Sequence, residues 1–261
     1  MHWAAHACAV RFQLNPQELT AVILTKDEEQ NLPHALDSLP VGCSVLIVDA
    51  NSRDRTVEIA RGRGAQVLQR EWRGFIDARL FALAAVRTAW TLMIDADEEL
   101  DATLRDAIIA ADGKADAYRV ARTTFFCGRP MRLWTNERIV RLFQTHQGIL
   151  RSRAVSDDAQ VHEVWSVPGR VDDLPGTLLH YSYPTAASYR AKFARYTDLE
   201  SAATASSPGK LASEELRAVV RFLYLALVRG AILDGWRGLF VAWWSARYRP
   251  TVFHKALVRT P

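Results

Sequence analysis

The sequence predicts an α/β protein built on a mostly parallel sheet, followed by mixed strands and a helical C-terminal tail. In the first 120 residues, short runs rich in Val, Ile and Leu alternate with stretches of helical periodicity. Strands that are almost continuously apolar and separated by helices are typical of a parallel sheet covered on both faces. Beyond Ala115 the apolar runs become short and mixed, and helical periodicity returns after Thr185.

The first half is predicted to contain four strands, at residues 20–24, 44–48, 65–69 and 91–94. The intervening helices are predicted at residues 28–39, 55–63 and 76–87, and Asp54 precedes the second helix as its cap. Ligands of such sheets bind beyond the carboxyl ends of the strands. Thr25, Asp49 and Asp95 stand at that edge, so we expect them to face one crevice.

The composition is that of a folded globular protein. The chain has 261 residues, of which 49% are hydrophobic and 24% charged, and this excludes wholesale disorder. Cys8, Cys43 and Cys127 are scattered and odd in number, so we expect reduced thiols. The N-terminal residues do not resemble a signal peptide, and no window reaches the roughly 18 to 20 apolar residues of a membrane span. We therefore expect a cytoplasmic protein without transmembrane helices.

Five acids crowd the end of the fourth strand, in the segment TLMIDADEEL and at Asp101 just beyond it. Adjacent carboxylates repel, so the cluster needs water or a cation. Asp95 and Asp97 flank one small residue, and oxygen ligands of this kind suit Mg²⁺ or Mn²⁺. For Glu98, Glu99 and Asp101 we expect capping of the next helix, or solvation.

Three separated segments, AVILTKDEEQNLPHALDSL, VLIVDANSRDRTVEIARGRGAQVLQREWRGF and WTLMIDADEEL, resemble the start of family 2 glycosyltransferases of the GT-A fold. The similar subgroup is that of the bacterial lipopolysaccharide-core β-glucosyltransferases. The resemblance continues through IVRLF, VHEVW and LLHYSYPTAASYRAKFARY into the tail, GAILDGWRGLFVAWWSARY. It implies a Rossmann-like mixed sheet with flanking helices and a C-terminal helical, amphipathic extension.

The resemblance also implies a donor site. A nucleotide-sugar would lie across the strand ends, with Asp49 at the base, Asp95 near the ribose and Asp97 on a divalent metal ion. Thr25 and Glu28 would line the nucleotide pocket. The subgroup usually shows a Gln-Lys-Asn run after the Gly-Phe pair, where this chain has Ala78, Arg79 and Leu80. Arg79 keeps a cation that could contact phosphate, but the departure leaves the donor sugar open.

Inverting transfer needs a general base opposite the leaving diphosphate. By resemblance this is Glu163, beside His162 on the acceptor side, and His180 would be a second metal ligand. From periodicity alone, VHEVWSV is an edge strand with exposed polar residues, and a lone His is more often structural. Arg138 and Arg141 are candidates for binding acceptor phosphates, with surface ion pairs as the alternative.

The tail carries the positive charge. The net charge is +4, whereas residues 209–261 have nine Lys or Arg against three acids, an excess of six. Basic, Trp-rich amphipathic helices lie in membrane interfaces, so we expect attachment to the inner leaflet of a Gram-negative inner membrane. A helical subdomain packed on the core is the alternative. Long aliphatic runs argue against nucleic acid as a partner.

We divide the chain at residues 1–19 (N-terminal extension), 20–205 (catalytic domain) and 206–261 (basic tail). The catalytic domain comprises a nucleotide-sugar half, 20–112, and an acceptor half, 113–205. The expected reaction is metal-assisted transfer of glucose from UDP-glucose, or another UDP-sugar, to a lipid-linked acceptor such as a lipopolysaccharide inner-core heptose. A polyprenyl phosphate or another glycolipid is the alternative acceptor. From other classes, a nucleotidyltransferase would need a Gly-rich triphosphate loop that TKDEEQNL lacks, and a non-catalytic nucleotide-sugar binder would need a damaged site.

Overall fold

A computed structural model describes residues 14–135, 137–152 and 163–259 of the chain. Its first half is a parallel sheet, as predicted. The strands, each within one or two residues of its predicted bounds, are β1 (Leu19–Thr25), β2 (Ser44–Asp49), β3 (Gln66–Gln69) and β4 (Trp90–Asp95). β1 lies between β2 and β4 and pairs with both in parallel, and β3 pairs with β2 in parallel. The carboxyl ends of β1, β2 and β4 therefore meet at one edge.

Helices connect these strands and cover the sheet: α1 (Leu32–Ser38), α2 (Thr56–Gly62), α3 (Phe75–Ala85) and α4 (Ala102–Ala110). Side chains that alternate along β1 point to opposite faces. Ile23 packs in a core with residues of α1, α2 and α4. Val22 packs in a second core with residues of α3. Burial on both faces is the physical reason that the strands are almost continuously apolar.

The first helix is shorter than predicted. It begins at Leu32 rather than at residue 28, with Pro33 in its first turn. The preceding turn is bound to the loop after β2, because the Glu28 backbone N–H donates to Thr56 Oγ1 at 2.7 Å and that of Glu29 donates to Asp54 Oδ2 at 3.0 Å. These contacts use the residues that were expected to form the first helical turn.

The second half extends the sheet with mixed pairing. The strands are β5 (Glu98–Leu100), β6 (Ala117–Phe126), β7 (Arg129–Pro130), β8 (Glu137–Gln144), β9 (Ile149–Ser152), β10 (Glu163–Ser166) and β11 (Val171–Tyr183). The order in the main sheet is β3-β2-β1-β4-β8-β6-β11-β5, and β7 pairs with β6. β8 is antiparallel to β4 and β6, but β11 is parallel to β6. β9 and β10 form a separate antiparallel pair.

The tail packs on the rest of the chain through its last helix. α5 (Ala186–Ala202) precedes the tail, which contains α6 (Pro208–Leu223), a π-helical turn at Tyr224–Val228, a 3-10 turn at Ala231–Asp234 and α7 (Gly235–Arg259). Phe126 of β6, Tyr189 of α5 and Phe240 of α7 meet in a third apolar cluster. In the part of the chain that the structure describes, no helix is both long and apolar enough to cross a membrane.

Several basic residues of the tail are used inside the helical region. Arg249 pairs with Glu200 at 3.1 Å and Lys255 with Asp198 at 3.0 Å, which joins α7 to α5. Arg247 pairs with Glu215 and joins α7 to α6. The positive charge of the tail therefore contributes to helix packing, which the sequence-based alternative of a packed subdomain predicted.

Candidate functional site

A cavity of about 810 Å³ opens at the carboxyl ends of β1 and β4. The predicted site residues that line it are Thr25, Glu28, Arg79, Asp95, Asp97, Arg141 and His180. Its other walls come from β8, β10, β11 and α5. The topology thus brings together side chains from both predicted halves of the catalytic domain.

Asp49 is fully buried and does not line this cavity, so the expectation that it faces the crevice with Thr25 and Asp95 is wrong. It accepts hydrogen bonds from Thr25 Oγ1 at 3.0 Å, from the Ser52 backbone N–H at 2.9 Å and from Gln69 Nε2 at 3.3 Å. The carboxylate therefore holds the ends of three neighbouring strands, β1, β2 and β3, in one arrangement. A nucleotide base that bound to Asp49 would share this carboxylate with the hydrogen bonds from Thr25, Ser52 and Gln69.

Glu28 follows the end of β1 and lines the cavity. Burial raises the pKa of its carboxyl, and the nearby charge of Asp97 raises it further, while the hydrogen bond from Asn31 acts in the opposite direction. The Asn31 amide donates to Glu28 Oε2 at 2.7 Å and orients it. Glu28 is thus a fixed, partly buried acid close to Asp97.

Arginines neutralise most of the acidic cluster. Asp95 accepts from Arg79 Nη2 through Oδ1 at 2.9 Å and from Arg141 Nη2 through Oδ2 at 3.2 Å. Arg141 also reaches Glu98 Oε1 at 2.6 Å, and Arg122 lies 3.6 Å from the same oxygen. Burial alone would raise the pKa of Asp95, but the two guanidinium groups hold it well below its usual range. The cation that this part of the cluster requires is supplied by the protein.

This network corrects two expectations. Glu98 is neither a helix cap nor solvated, because it is fully buried and paired with Arg141. The alternative of a surface ion pair is wrong for Arg141, which is 5% exposed. Asp101 does cap α4, as predicted, since its Oδ1 accepts from the Leu104 backbone N–H at 2.7 Å.

Asp97 is placed differently from Asp95. Its Oδ2 lies 3.4 Å from His180 Nε2, and the Nδ1 of His180 lies 3.1 Å from Thr124 Oγ1. Burial raises the pKa of Asp97, but the hydrogen bond and charge of His180 outweigh this, so the net shift is downward. The structure therefore brings together the two residues that were predicted, far apart in sequence, to share a metal ion.

No group of three or more Asp, Glu, His or Cys side chains within the described ranges could hold a metal ion by itself. Asp97 and His180 nevertheless fit a Mg²⁺ or Mn²⁺ ion that takes its remaining ligands from substrate phosphates and water, as Mg²⁺ usually does. One carboxylate oxygen and one imidazole nitrogen face each other at the cavity wall. The carboxylate suits either ion, whereas imidazole is a less usual ligand for Mg²⁺, which prefers oxygen.

The acceptor-side candidates are described only in part. Glu163 begins β10, with its backbone opposite Ser152, but its side chain and the whole of His162 lie outside the described residues. Trp165, two residues along β10, lines the cavity, so this strand borders the site. Arg138 is exposed, does not line the cavity and lies 3.8 Å from Asp173, which matches the surface ion pair alternative.

The sequence analysis did not predict the cavity residues on α5. Lys192, Arg195 and Tyr196 line the wall beyond His180. Positions three and four apart share a helix face, so the segment KFARY contained a signal for this wall. Arg122 and Trp72 also line the cavity without having been predicted.

The model of the family described as "Glycosyl transferase family 2" matches residues 20–159. The chain belongs to this family. The match covers the parallel half, the acidic cluster and most of the mixed strands.

The curated relatives share part of their length with this chain. An uncharacterized glycosyltransferase of Rickettsia bellii is 37% identical over 41% of this chain and 37% of its own length. The lipopolysaccharide core biosynthesis glycosyltransferase LpsC of Rhizobium meliloti is 32% identical over 62% of this chain and 63% of its own length. The chain therefore spans less than two thirds of either relative.

A solved structure supports the fold. The mannosyltransferase PcManGT from Pyrobaculum calidifontis, in complex with GDP-Man and Mn²⁺, matches 94% of this chain and 88% of its own length. Its TM-score is 0.53 at 15% sequence identity. The predicted GT-A fold is confirmed by this likeness and by the mixed sheet with flanking helices.

Proposed function

We propose that the protein is a metal-assisted, inverting glycosyltransferase that moves glucose from a UDP-sugar to a lipopolysaccharide inner-core sugar, with heptose as the leading acceptor. The observation that carries the proposal is the Asp97–His180 pair at the wall of the strand-end cavity, beside Glu28. The relative LpsC, which is named for lipopolysaccharide core biosynthesis, supports the acceptor class.

The predicted site residues have separate roles. Thr25 and Glu28 form the nucleotide side of the cavity, and the buried Asp49 orders the ends of three strands through its bonds to Thr25, Ser52 and Gln69. Asp97 and His180 would hold Mg²⁺ or Mn²⁺, which neutralises the leaving diphosphate when bound. Arg79 keeps Asp95 ionised and fixed, because its guanidinium donates to that carboxylate.

On the opposite side, we assign Glu163 as the general base. Its carboxylate would take the proton of the acceptor hydroxyl as that oxygen attacks the anomeric carbon and the bond to the diphosphate breaks. The assignment is supported by the position of β10, whose Trp165 lines the cavity. We expect Glu163→Gln to lower kcat by about 10²- to 10⁴-fold and to leave donor binding unchanged, as measured by turnover and by UDP titration.

The donor is tested by calorimetric titration of UDP and GDP, each with Mn²⁺, with Mg²⁺ and without metal. Wild type is compared with Asp97→Ala and with Asp106→Ala, a control on an exposed carboxylate outside the cavity. We expect metal-dependent UDP binding that is lost only in Asp97→Ala. Preference for GDP would indicate a GDP-sugar as the donor, as in the complex of PcManGT with GDP-Man. Absence of binding of either nucleotide would refute the proposed donor site.

We further propose that the tail attaches the enzyme peripherally to the inner leaflet, where a lipid-linked acceptor resides. The support is an exposed apolar face on α6, the two turns after it and the start of α7. We call it the apolar face; it consists of Leu216, Val219, Val220, Leu223, Leu227, Val228, Ile232, Leu233 and Trp236, all at least half exposed. Within the described chain, Lys210 and Arg221 of α6 make no ion pair and are available to anionic headgroups.

An anionic bilayer suits this face better than water does. Large exposed apolar patches are uncommon on soluble monomers, and this face has nine large apolar side chains that are at least half exposed. Each basic residue near an anionic surface contributes on the order of 1 kcal/mol. Trp236 is 55% exposed and has Arg237 against its ring at 4.9 Å, and Trp is enriched at the depth of the headgroups. A polyprenyl phosphate or another glycolipid would be reached from the same surface.

Vesicle co-sedimentation tests the attachment. We expect wild type to bind vesicles of phosphatidylethanolamine and phosphatidylglycerol, and Leu227→Glu/Val228→Glu to lose binding. Val41→Glu is the matched control, since Val41 is 90% exposed and lies outside the apolar face. If wild type stays in the supernatant and instead forms a dimer that Leu227→Glu/Val228→Glu disrupts, a second copy covers this face and the membrane assignment is wrong.

A further inference from the structure

The cations of the cavity fall into two groups. Those at its floor are committed to carboxylates: Arg79 to Asp95, Arg141 to Asp95 and Glu98, and Arg122 to Glu98 and Glu137. Lys26, at the end of β1, lies 3.5 Å from Asp27. Each of these charges is balanced within the protein.

Lys192 and Arg195 of α5 differ from this group. They line the same cavity, but neither forms an ion pair with any carboxylate among the described residues. The Lys192 ammonium donates to Ser182 Oγ at 2.7 Å and lies 5.1 Å from the centre of the Tyr183 ring. It is thus held in place by neutral groups, and its charge remains available to a ligand.

The position of Lys192 places this charge beside the predicted metal ligands. Ser182, which accepts from the Lys192 ammonium, lies two residues after His180 on β11. Lys192 also lines the same cavity as Glu28 and Asp97. Arg195 follows three residues later, so it extends the same face of α5 by one turn.

On the basis of the function proposed above, we propose that Lys192 and Arg195 bind a phosphate group of the substrates. Ammonium and guanidinium groups offer five or fewer N–H donors each and no acceptor, which matches phosphate oxygens. The phosphate is either the β-phosphate of the donor diphosphate or a phosphate carried by the acceptor. Both sources present the same chemistry to α5.

The test measures binding with Lys192→Ala and Arg195→Ala. In the first arm, UDP and UMP are titrated in the presence of Mg²⁺; loss of one charge-assisted contact is expected to weaken UDP binding about tenfold or more and to leave UMP unaffected. In the second arm, inorganic phosphate is titrated into protein saturated with UDP and Mg²⁺. If the variants lose affinity only for UDP, Lys192 and Arg195 bind the donor diphosphate. If they lose affinity only for inorganic phosphate, they bind a phosphate of the acceptor.

Controls separate binding from folding. Arg190→Ala removes an exposed cation from the same helix that does not line the cavity, and should change neither arm. Lys192→Arg keeps the charge and should restore most of the affinity. Unchanged affinities in both arms for Lys192→Ala and Arg195→Ala would overturn the inference. If wild type itself bound no UDP, the proposed donor site would fail instead.

Discussion

Replacing Arg141 by Met removes the guanidinium that joins Asp95 to Glu98. Glu98 is fully buried, and its Oε1 lies 2.6 Å from Arg141 Nη2. Breaking a buried ion pair from one side typically costs about 3–5 kcal/mol, because the remaining charge is left without its partner. Arg122 stays 3.6 Å from Glu98, and Arg79 stays 2.9 Å from Asp95. We therefore expect the lower end of that range, about 3 kcal/mol.

The loss is measured as the free energy of unfolding in urea and as the melting temperature. For a chain of this size, about 3 kcal/mol corresponds to a fall in Tm of roughly 6–12 °C. The matched control is Arg141→Met/Glu98→Met, which removes both charges and keeps apolar volume at both positions. We expect the double variant to recover most of the lost stability, since replacing a whole buried pair is often neutral.

Two results would refute this account of the acidic cluster. One is an unfolding free energy of Arg141→Met that equals that of wild type. The other is a single variant whose stability returns on addition of Mg²⁺ but not with the second substitution at Glu98. The first result would mean that Arg141 is not needed to balance the buried carboxylates, and the second would mean that a metal ion balances them.

Three further predictions concern local structure. Asp101→Ala removes the cap of α4 and should cost about 1 kcal/mol in urea unfolding; no change would contradict the cap. Gly176→Ala should lower the free energy of unfolding in urea by about 3 kcal/mol, because φ is +90° and a Cβ would lie 2.2 Å from the Leu104 backbone N. Gly64→Ala is the control: φ is +77° but the Cβ would meet open space, so the loss should be about 1 kcal/mol. Burial raises the pKa of the Cys43 thiol to about 11, so native protein at pH 8 should be alkylated there far more slowly than unfolded protein, as peptide mass spectrometry would show.

The parallel half was predictable because its pattern comes from burial. β1 and β4 are covered on both faces, so each reads as an apolar run, and their bounds were predicted to within one residue. The start of α1 was not predictable from local pattern. Glu28 and Glu29 bind Thr56 and Asp54, more than twenty residues away, and this tertiary contact overrides the helical tendency of the segment.

The acidic residues of the candidate site were predictable from the sequence, but the arginines that pair with them were not. Asp95 and Asp97 stand at a strand end, which sequence shows directly. Arg141 lies 43 residues from Glu98 and reaches it because β8 is antiparallel to β4, with Leu142 opposite Leu92. Register between distant strands is not encoded in the spacing of charges. The sequence therefore predicts helix capping or solvation for Glu98 and an acceptor phosphate or a surface ion pair for Arg141, and none of these describes the buried pair.

The two acids of the DxD element are expected to fail in different ways when each is replaced by Asn. Asp95 has both oxygens bonded to guanidinium groups, Oδ1 to Arg79 and Oδ2 to Arg141, so Asp95→Asn should lower Tm by several degrees. Asp97 makes one ion pair among the described residues, between its Oδ2 and His180 Nε2 at 3.4 Å. Asp97→Asn should therefore keep Tm nearly unchanged and abolish metal-dependent UDP binding. Equal losses of Tm in the two variants would contradict this division, because a carboxylate bound by two arginines and one facing a single imidazole cannot contribute the same electrostatic stability.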